Sequence, residues 1–323
     1  MRKNNLTEEF ILESFLRKLH FNKIEASNFK NDGAFFKIPK KSKLVVTNDT
    51  ILERVDFFVN DPPESIANKI ATCNLSDLSA MGAKPYCYTL SLCIPKFISE
   101  KWLFNFTNKL LNIQKKFNFF LIGGDLSESK KIIISANFFG LISNGKISNR
   151  KNAKINDDIW VTGNIGESSI GLRVKKNKIK INTRDKKYFL KKYLYPKHFS
   201  LGHFLSNIAT SSIDISDGFY GDLEKLLNFN KIGAYIHSKL IPFSPKVKSL
   251  IKNKLIKLDY LLKSGDDYEL IFTANPKDEL FVKNLSKKNN IKITKIGKII
   301  DKYGIFLDDR KIKTINKSFQ HFS

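Results

Sequence analysis

Residues Asn74–Ala83 read NLSDLSAMGA, the close of an apolar helical pattern that begins near Ile66. Asn74, Asp77 and Met81 follow Ile70 at helical spacing, so this face points inward and Asp77 sits at its edge. A carboxylate on the inner side of a helix costs several kcal/mol unless something pairs with it, so Asp77 either faces water or has a cationic partner. The small run Ala80–Gly82–Ala83 lets the chain pass closely into a following strand.

Outward from this stretch, strands and helices alternate. Thr7–His20 reads as an amphipathic helix, with Leu12, Phe15, Leu16 and Leu19 at helical spacing and Glu8 and Glu9 in its first turn. LVVTND predicts a buried strand ending at Asp49, Glu64–Met81 a helix, YTLSLCI a strand, Glu100–Lys116 a helix, FFLIGGD a strand ending at Asp125, and IIISANFFGLI a strand. The polar run SNGKISNRKNAKIN marks a junction, placing one domain at 1–148 and a second at 149–323. The second half restarts with DIWVTGNIGESSIGL, a strand, turn and helix, followed by a Lys-rich insertion or loop at Lys175–Lys187. Helix SLGHFLSNIA, strand SSIDISD, helix GFYGDLEKLL, strands GAYIHSKLIP and YELIFTA, helix KDELFVKNLSKK and strand IKITKIGKI complete the pattern. The fold class is α/β, in α+β layers over two domains.

The chain of 323 residues is 42% hydrophobic with 9 Pro and 16 Gly, a globular composition rather than a collagenous or disordered one. Its net charge of +25 is spread along the chain instead of concentrated on a recognition element, which argues against nucleic-acid binding. Cys73, Cys87 and Cys93 form no CxxC pair and read as buried free thiols of a reducing compartment. The five histidines have no zinc spacing. The N-terminal MRKNNLTEEFILESFL is broken by Glu, and no apolar run reaches the ~18 residues of a membrane span. No membrane association and a cytoplasmic location are the expectation.

Asp49, Asp125, Asp214 and Asp217 fall where strands are expected to end or helices to begin, the usual place for ligand chemistry in α/β sheets. Each taken singly reads more readily as a cap or turn residue. Their company is more telling. Leu44–Leu52, Ile70–Ala83, Phe117–Ser129, His203–Glu224 and Ser264–Pro276 together hold 71 residues without one Lys or Arg, where the chain average predicts about twelve, and each window contains an Asp. Carboxylates gathered without cations repel unless a hard cation joins them, and Mg²⁺, which takes carboxylate oxygens, water and substrate phosphates, is the expected partner. GxxxxGK[ST], GxGxxG and kinase HRD/DFG signatures are absent, excluding a P-loop enzyme or protein kinase. VTGNIGES has a GxxG turn opening a helix, either a plain strand-to-helix turn or a cradle for an anion. No GxSxG elbow argues for acyl transfer, and a glycosidase needs only two carboxylates.

NLSDLSAMGAKP, with TND upstream, IGGD and IDISDG downstream and SGDDYELIFT later, resembles the thiamine-monophosphate kinase family, within the superfamily of aminoimidazole ribonucleotide synthetase and selenophosphate synthetase. The motifs run in family order from about Phe10 to Phe322. The resemblance implies a two-domain PurM-like architecture with an N-terminal ATP- and Mg²⁺-binding half and a homodimer joined through N-terminal sheets. It implies direct in-line transfer of the ATP γ-phosphoryl group to thiamine monophosphate, with several Mg²⁺ ions and no side-chain acid or base. Another ATP-dependent enzyme of the superfamily, or a basic nucleic-acid-binding protein, is the alternative.

By this resemblance Asp32, Thr47, Asn48, Asp49, Asp77, Asp125, Asp214 and Asp217 are metal ligands, and Gly124, Asp125, Arg150 and Ser216 contact ATP. Asp56, Asp266 and Phe319 would contact the substrate, Phe319 by stacking. The chain departs from the family pattern at Asn31, Ser264, Asp266 and Ser318, and at Asp56, which stands where a His often lies. Plain packing for Phe319, a surface cation for Arg150 and a helix cap for Ser216 are the non-functional readings of those three.

Overall fold

The computed structural model describes residues 6–143, 147–198 and 201–312. Phe319 and Ser318 therefore lie outside the described residues. The chain divides into two compact units, one running to Leu78 and from Ala83 to residue 144, the other comprising Ser79–Gly82 and residues 145 onward.

In the first unit, the Thr7 hydroxyl accepts the Phe10 N–H and starts α1 (Glu8–Ile11), which continues as a π turn at Leu12–Leu16 and a 3₁₀ turn at Arg17–His20. The expected helix is thus present but irregular, burying Ile11, Phe15, Leu16 and Leu19. There follow β1 (Ser42–Leu52), α2 (Pro63–Ala80), β2 (Lys84–Ile94), α3 (Glu100–Phe117), β3 (Phe120–Glu128) and β4 (Ile133–Ser143). The sheet order is β1-β4-β2-β3, with β2 and β3 parallel across the α3 crossover and the other pairs antiparallel. β4 alternates strictly between buried and half-exposed residues, the pattern of a sheet covered on one face. Ile134, Ala136, Phe138 and Ile142 turn to the core with Val45 and Ile51 of β1, and α2 supplies Ile66, Ile70, Leu75 and Leu78.

Two strands outrun their predicted ends. Asp49 lies inside β1, because Thr50 and Ile51 still pair with Ser135 and Ile134. Asp125 lies inside β3, because Leu126–Glu128 pair with Leu92–Ile94. Partner strands extend a strand past the point where its own apolar run stops, so the strand-end placement holds for Asp214 alone of these three.

The second unit contains β5 (Asp158–Thr162), α4 (Glu167–Lys175), α5 (Thr183–Leu194), α6 (Gly202–Leu205), β6 (Ala209–Asp214), α7 (Phe219–Asn230), β7 (Gly233–Ile236), α8 (Pro245–Lys252), α9 (Leu258–Lys263), β8 (Leu270–Ala274), α10 (Glu279–Asn289), β9 (Ile293–Ile300), β10 (Gly304–Leu307) and β11 (Arg310–Lys311). Its mixed sheet runs β11-β10-β7-β9-β5-β8-β6. β5 and β8 are buried throughout. Ile159, Val161, Ile213, Phe219 and Ile271 join one cluster and Trp160, Leu270, Phe272 and Val282 another, as alternation over two covered faces requires.

Lys175–Lys187 is not a lengthy insertion. α4 ends at Lys175 and α5 starts at Thr183 under an Asn182 cap. The helix expected over SLGHFLSNIA shrinks to Gly202–Leu205, β7 stops at Ile236, and β8 starts only at Leu270. Of the three free thiols only Cys87 is buried, whereas Cys73 and Cys93 are half-buried.

Candidate active site

In the first unit, β1 and α2 bring the predicted ligands together. Thr47 and Asp49, two residues apart on a strand, face the same side, and Thr47 Oγ1 donates to Asp77 Oδ2 of α2 at 2.5 Å. Asp49 Oδ2 is buried and makes no hydrogen bond. Burial, and then the charges of Asp77 and Asp56, push the Asp49 carboxyl up to about 7. Asp56 lies in the turn after β1, where its Oδ2 accepts the Leu52 N–H at 2.8 Å and its carbonyl accepts from Lys69 Nζ at 2.8 Å.

The pleat sends Asn48 and Asp125, also expected as ligands, to the opposite face. Asn48 donates to Asn137 Oδ1 at 2.8 Å, Asn137 donates to Thr89 Oγ1 at 3.0 Å, and Thr50 donates to Ser135 at 2.9 Å. Asp125 is in register with Ser91, and Ser91 with Ser135, so Asp125 shares this polar face and accepts from Ser127 Oγ at 2.8 Å. A cavity of about 510 Å³ is lined by Asn31, Asp32, Thr89, Ser91, Gly124 and Asp125 among others. Gly124 is required at its wall, since a Cβ there would stand 1.9 Å from the Leu90 carbonyl oxygen. The first unit thus assembles two groups, Thr47/Asp49/Asp77 beside α2 and Asp32/Gly124/Asp125 around the cavity, with Asn48 on the cavity's side of the sheet.

In the second unit Asp214 is buried at the end of β6 and pairs in register with Leu270. The turn that follows is held from α7: Asp222 Oδ2 accepts the N–H groups of Ser216, Asp217 and Gly218 at 3.0, 2.9 and 3.1 Å. Lys225 Nζ donates to Asp217 Oδ2 at 2.5 Å and to Asp222 Oδ1 at 2.7 Å. Burial works against the Lys225 charge, but the Asp222 and Asp217 carboxylates outweigh it and raise the ammonium above its ordinary value. Lys225 is the first residue beyond the cation-free window at His203–Glu224, and it reaches back into it.

The loop carrying Asp266 is tied to the same turn by main-chain bonds. The Asp266 N–H donates to Ser216 O at 2.9 Å and the Tyr268 N–H to Ile215 O at 2.8 Å. Asp266 has φ 67° and Tyr268 φ 52°, and Asp enters this left-handed region more readily than most residues. Asp266 Oδ1 accepts from the Tyr268 hydroxyl at 2.8 Å. The exposed Arg150 has its carbonyl pinned by Asn230 Nδ2 at 2.5 Å.

Sequence reasoning missed a second set of buried acids here. Glu269 accepts from Thr162 Oγ1 at 2.6 Å and is pushed up to about 7, chiefly by burial. Glu167 receives the Tyr188 hydroxyl and the Lys192 ammonium. Asp267 accepts the Gly166 N–H at 2.7 Å, so the chain's own carboxylate meets the N-terminus of α4 that the GxxG turn offered to an anion. The only signal was the run GDDYEL, whose three acids precede an apolar strand.

Among the described residues, no three acidic, histidine or cysteine side chains converge closely enough to enclose a metal ion by themselves. Mg²⁺ asks for less, since it keeps several waters and takes one or two carboxylates with substrate phosphates. The orphaned Asp49 Oδ2 beside Asp77, and an all-oxygen donor set with Thr47, fit such an ion.

Known proteins resemble the chain over both units. The family description AIR synthase related protein, N-terminal domain, matches residues 30–142, and its C-terminal counterpart residues 154–310. The thiamine-monophosphate kinase of Buchnera aphidicola subsp. Acyrthosiphon pisum is 37% identical over 97% of this chain and 98% of its own. The crystal structure of thiamine-monophosphate kinase from Stenotrophomonas maltophilia K279a superposes with TM-score 0.80 at 29% identity, covering 88% of this chain and 90% of that one. A structure described as AaThiL complexed with AMPPCP and TMP superposes with TM-score 0.78 at 25% identity, covering 88% and 89%.

Proposed function

The chain belongs to the thiamine-monophosphate kinase family, and from that premise we propose that it transfers the γ-phosphoryl group of ATP in line to thiamine monophosphate, giving thiamine diphosphate and ADP. The observation that carries this reading is the 37% identity over 97% of the chain. The uncompensated Asp49 carboxylate supports the chemistry.

The attacking phosphate oxygen is already ionised, so no side chain has to remove a proton; positioning and charge neutralisation suffice. Residues 1–148 hold ATP and Mg²⁺ and residues 149–323 form the C-terminal domain. Thr47, Asp49 and Asp77 of the first unit would hold Mg²⁺, with Asp32, Asn48 and Asp125 on the cavity side and Asp214 and Asp217 of the second unit. When bound, Mg²⁺ neutralises the phosphate charge that develops during transfer. Gly124, whose missing Cβ lets β3 pass close to the Leu90 carbonyl, and Asp125 border the cavity that would receive a nucleotide phosphate, and Arg150 and Ser216 would supply a guanidinium and a hydroxyl to ATP. Asp56, Asp266 and Phe319 contact thiamine monophosphate.

The protein acts as a homodimer through the open face of the first sheet, where Val46 is 56% exposed beside the Asn48–Asn137–Thr89 ladder. A cytoplasmic location is in keeping with a chain in which, among the described residues, no helix is long and apolar enough to cross a membrane.

ADP release measured with thiamine monophosphate, thiamine and aminoimidazole precursors, with and without Mg²⁺, tests the reading. Stimulation by thiamine monophosphate alone, abolished by EDTA, is expected; stimulation by none of them, or by an aminoimidazole substrate, overturns it.

A further inference from the structure

Three successive backbone N–H groups converging on one point make a nest, an anion-binding concavity of the kind that receives phosphate. The nest formed by Ser216, Asp217 and Gly218 at the entrance to α7 is filled by the chain itself: one oxygen of Asp222 accepts all three N–H groups. Asp222 is 1% exposed, so neither water nor a ligand phosphate shares that oxygen. Its second oxygen takes Lys225, whose ammonium also holds Asp217. Gly218 is required in the turn, because at φ 122° a Cβ would meet the Lys263 carbonyl oxygen at 2.6 Å.

We propose that Asp222 is a positioning residue for nucleotide binding: its carboxylate plugs the nest and thereby fixes Ser216, while Lys225 tethers Asp217 to it. The proposal rests on the reading of this turn as part of the ATP site. The two oxygens have separable duties. An amide at position 222 keeps an acceptor for the three N–H groups but turns a donor toward Lys225 and loses the tether. An alanine loses both, leaving three N–H groups in the nest without their partner.

Binding of a non-hydrolysable ATP analogue, measured by calorimetry without turnover, separates these duties. Asp222→Asn and Lys225→Met cut the same tether, and both are expected to weaken the analogue three- to tenfold. Asp222→Ala is expected to weaken it more than thirtyfold, with the KM for ATP rising in parallel and the KM for thiamine monophosphate staying within twofold. Should Asp222→Ala not fold, the Asn and Met variants still decide. The proposal is overturned if both leave analogue affinity and the ATP KM within twofold of wild type, or if the two substrates' KM values rise together. A lower melting temperature without a change in affinity means that Asp222 serves the fold alone and likewise overturns it. Failure of the wild-type protein to bind the analogue counts instead against the nucleotide site itself.

Discussion

Asp49 in the first unit and Asp222 in the second are both carboxylates withdrawn from water, and their surroundings are opposite. Asp222 receives three N–H groups and an ammonium from its own chain, partners that offset much of the burial which still holds its carboxyl above the ordinary value. Asp49 has an oxygen with no hydrogen bond and two carboxylates for charged neighbours. A charge the chain satisfies itself is architecture; a charge it leaves costly is a place for something the chain does not contain. Ionising a carboxyl raised from 3.8 to about 7 costs on the order of 4 kcal/mol, which a bound cation would return.

The largest effect is expected where that cost is functional. Asp49→Asn should lower kcat a thousandfold or more, while in EDTA at pH 8 its urea midpoint rises, because a repelling charge is gone. A fall in metal-free stability would erase the contrast. Asp222→Ala should do the reverse and lose about 1–3 kcal/mol of unfolding free energy, the cost of leaving buried N–H groups without their acceptor; no measurable loss by urea titration would make the two acids equivalent.

Glu269 sharpens the comparison through pH. Its folded-state value of about 7 stands above the unfolded value near 4.5, so between those limits the folded chain holds more protons and stability falls as pH rises. The stabilisation is fully present below about 4.5 and lost as pH passes about 7. Denaturation midpoints from pH 4.5 to 8 should therefore decline more steeply in wild type than in Glu269→Gln. The smallest effect, about 1 kcal/mol, belongs to Thr47→Val, which removes the bond to Asp77 and is measured by the same titration.

Much of this contrast was legible as spacing. The helical phase of Ile70, Asn74 and Asp77 reports that the carboxylate lies at the edge of a buried face, and Thr47 bonds to it in the structure. Strand extent was not legible, because Asp49 and Asp125 lie within strands only by virtue of partners far along the chain. That misplacement also hid the division of the ligand set between two sheet faces, since alternation along a strand means nothing until the strand is known to continue. Lys225 escaped notice because a cation's reach is a property of its rotamer. Counting charge-free windows places Lys225 outside the DISDG segment, while its ammonium stands 2.5 Å from Asp217.

The main-chain bonds that join residues 215–216 to 266–268 bear on how freely this protein can change. Such a seam depends little on the side chains of Asp266 and Tyr268 but requires Gly265, where a Cβ would stand 1.9 Å from the Ser216 carbonyl oxygen. Around that fixed glycine the loop can be revised by substitution while the 215–218 turn keeps its shape, so the two segments are free to change on separate schedules.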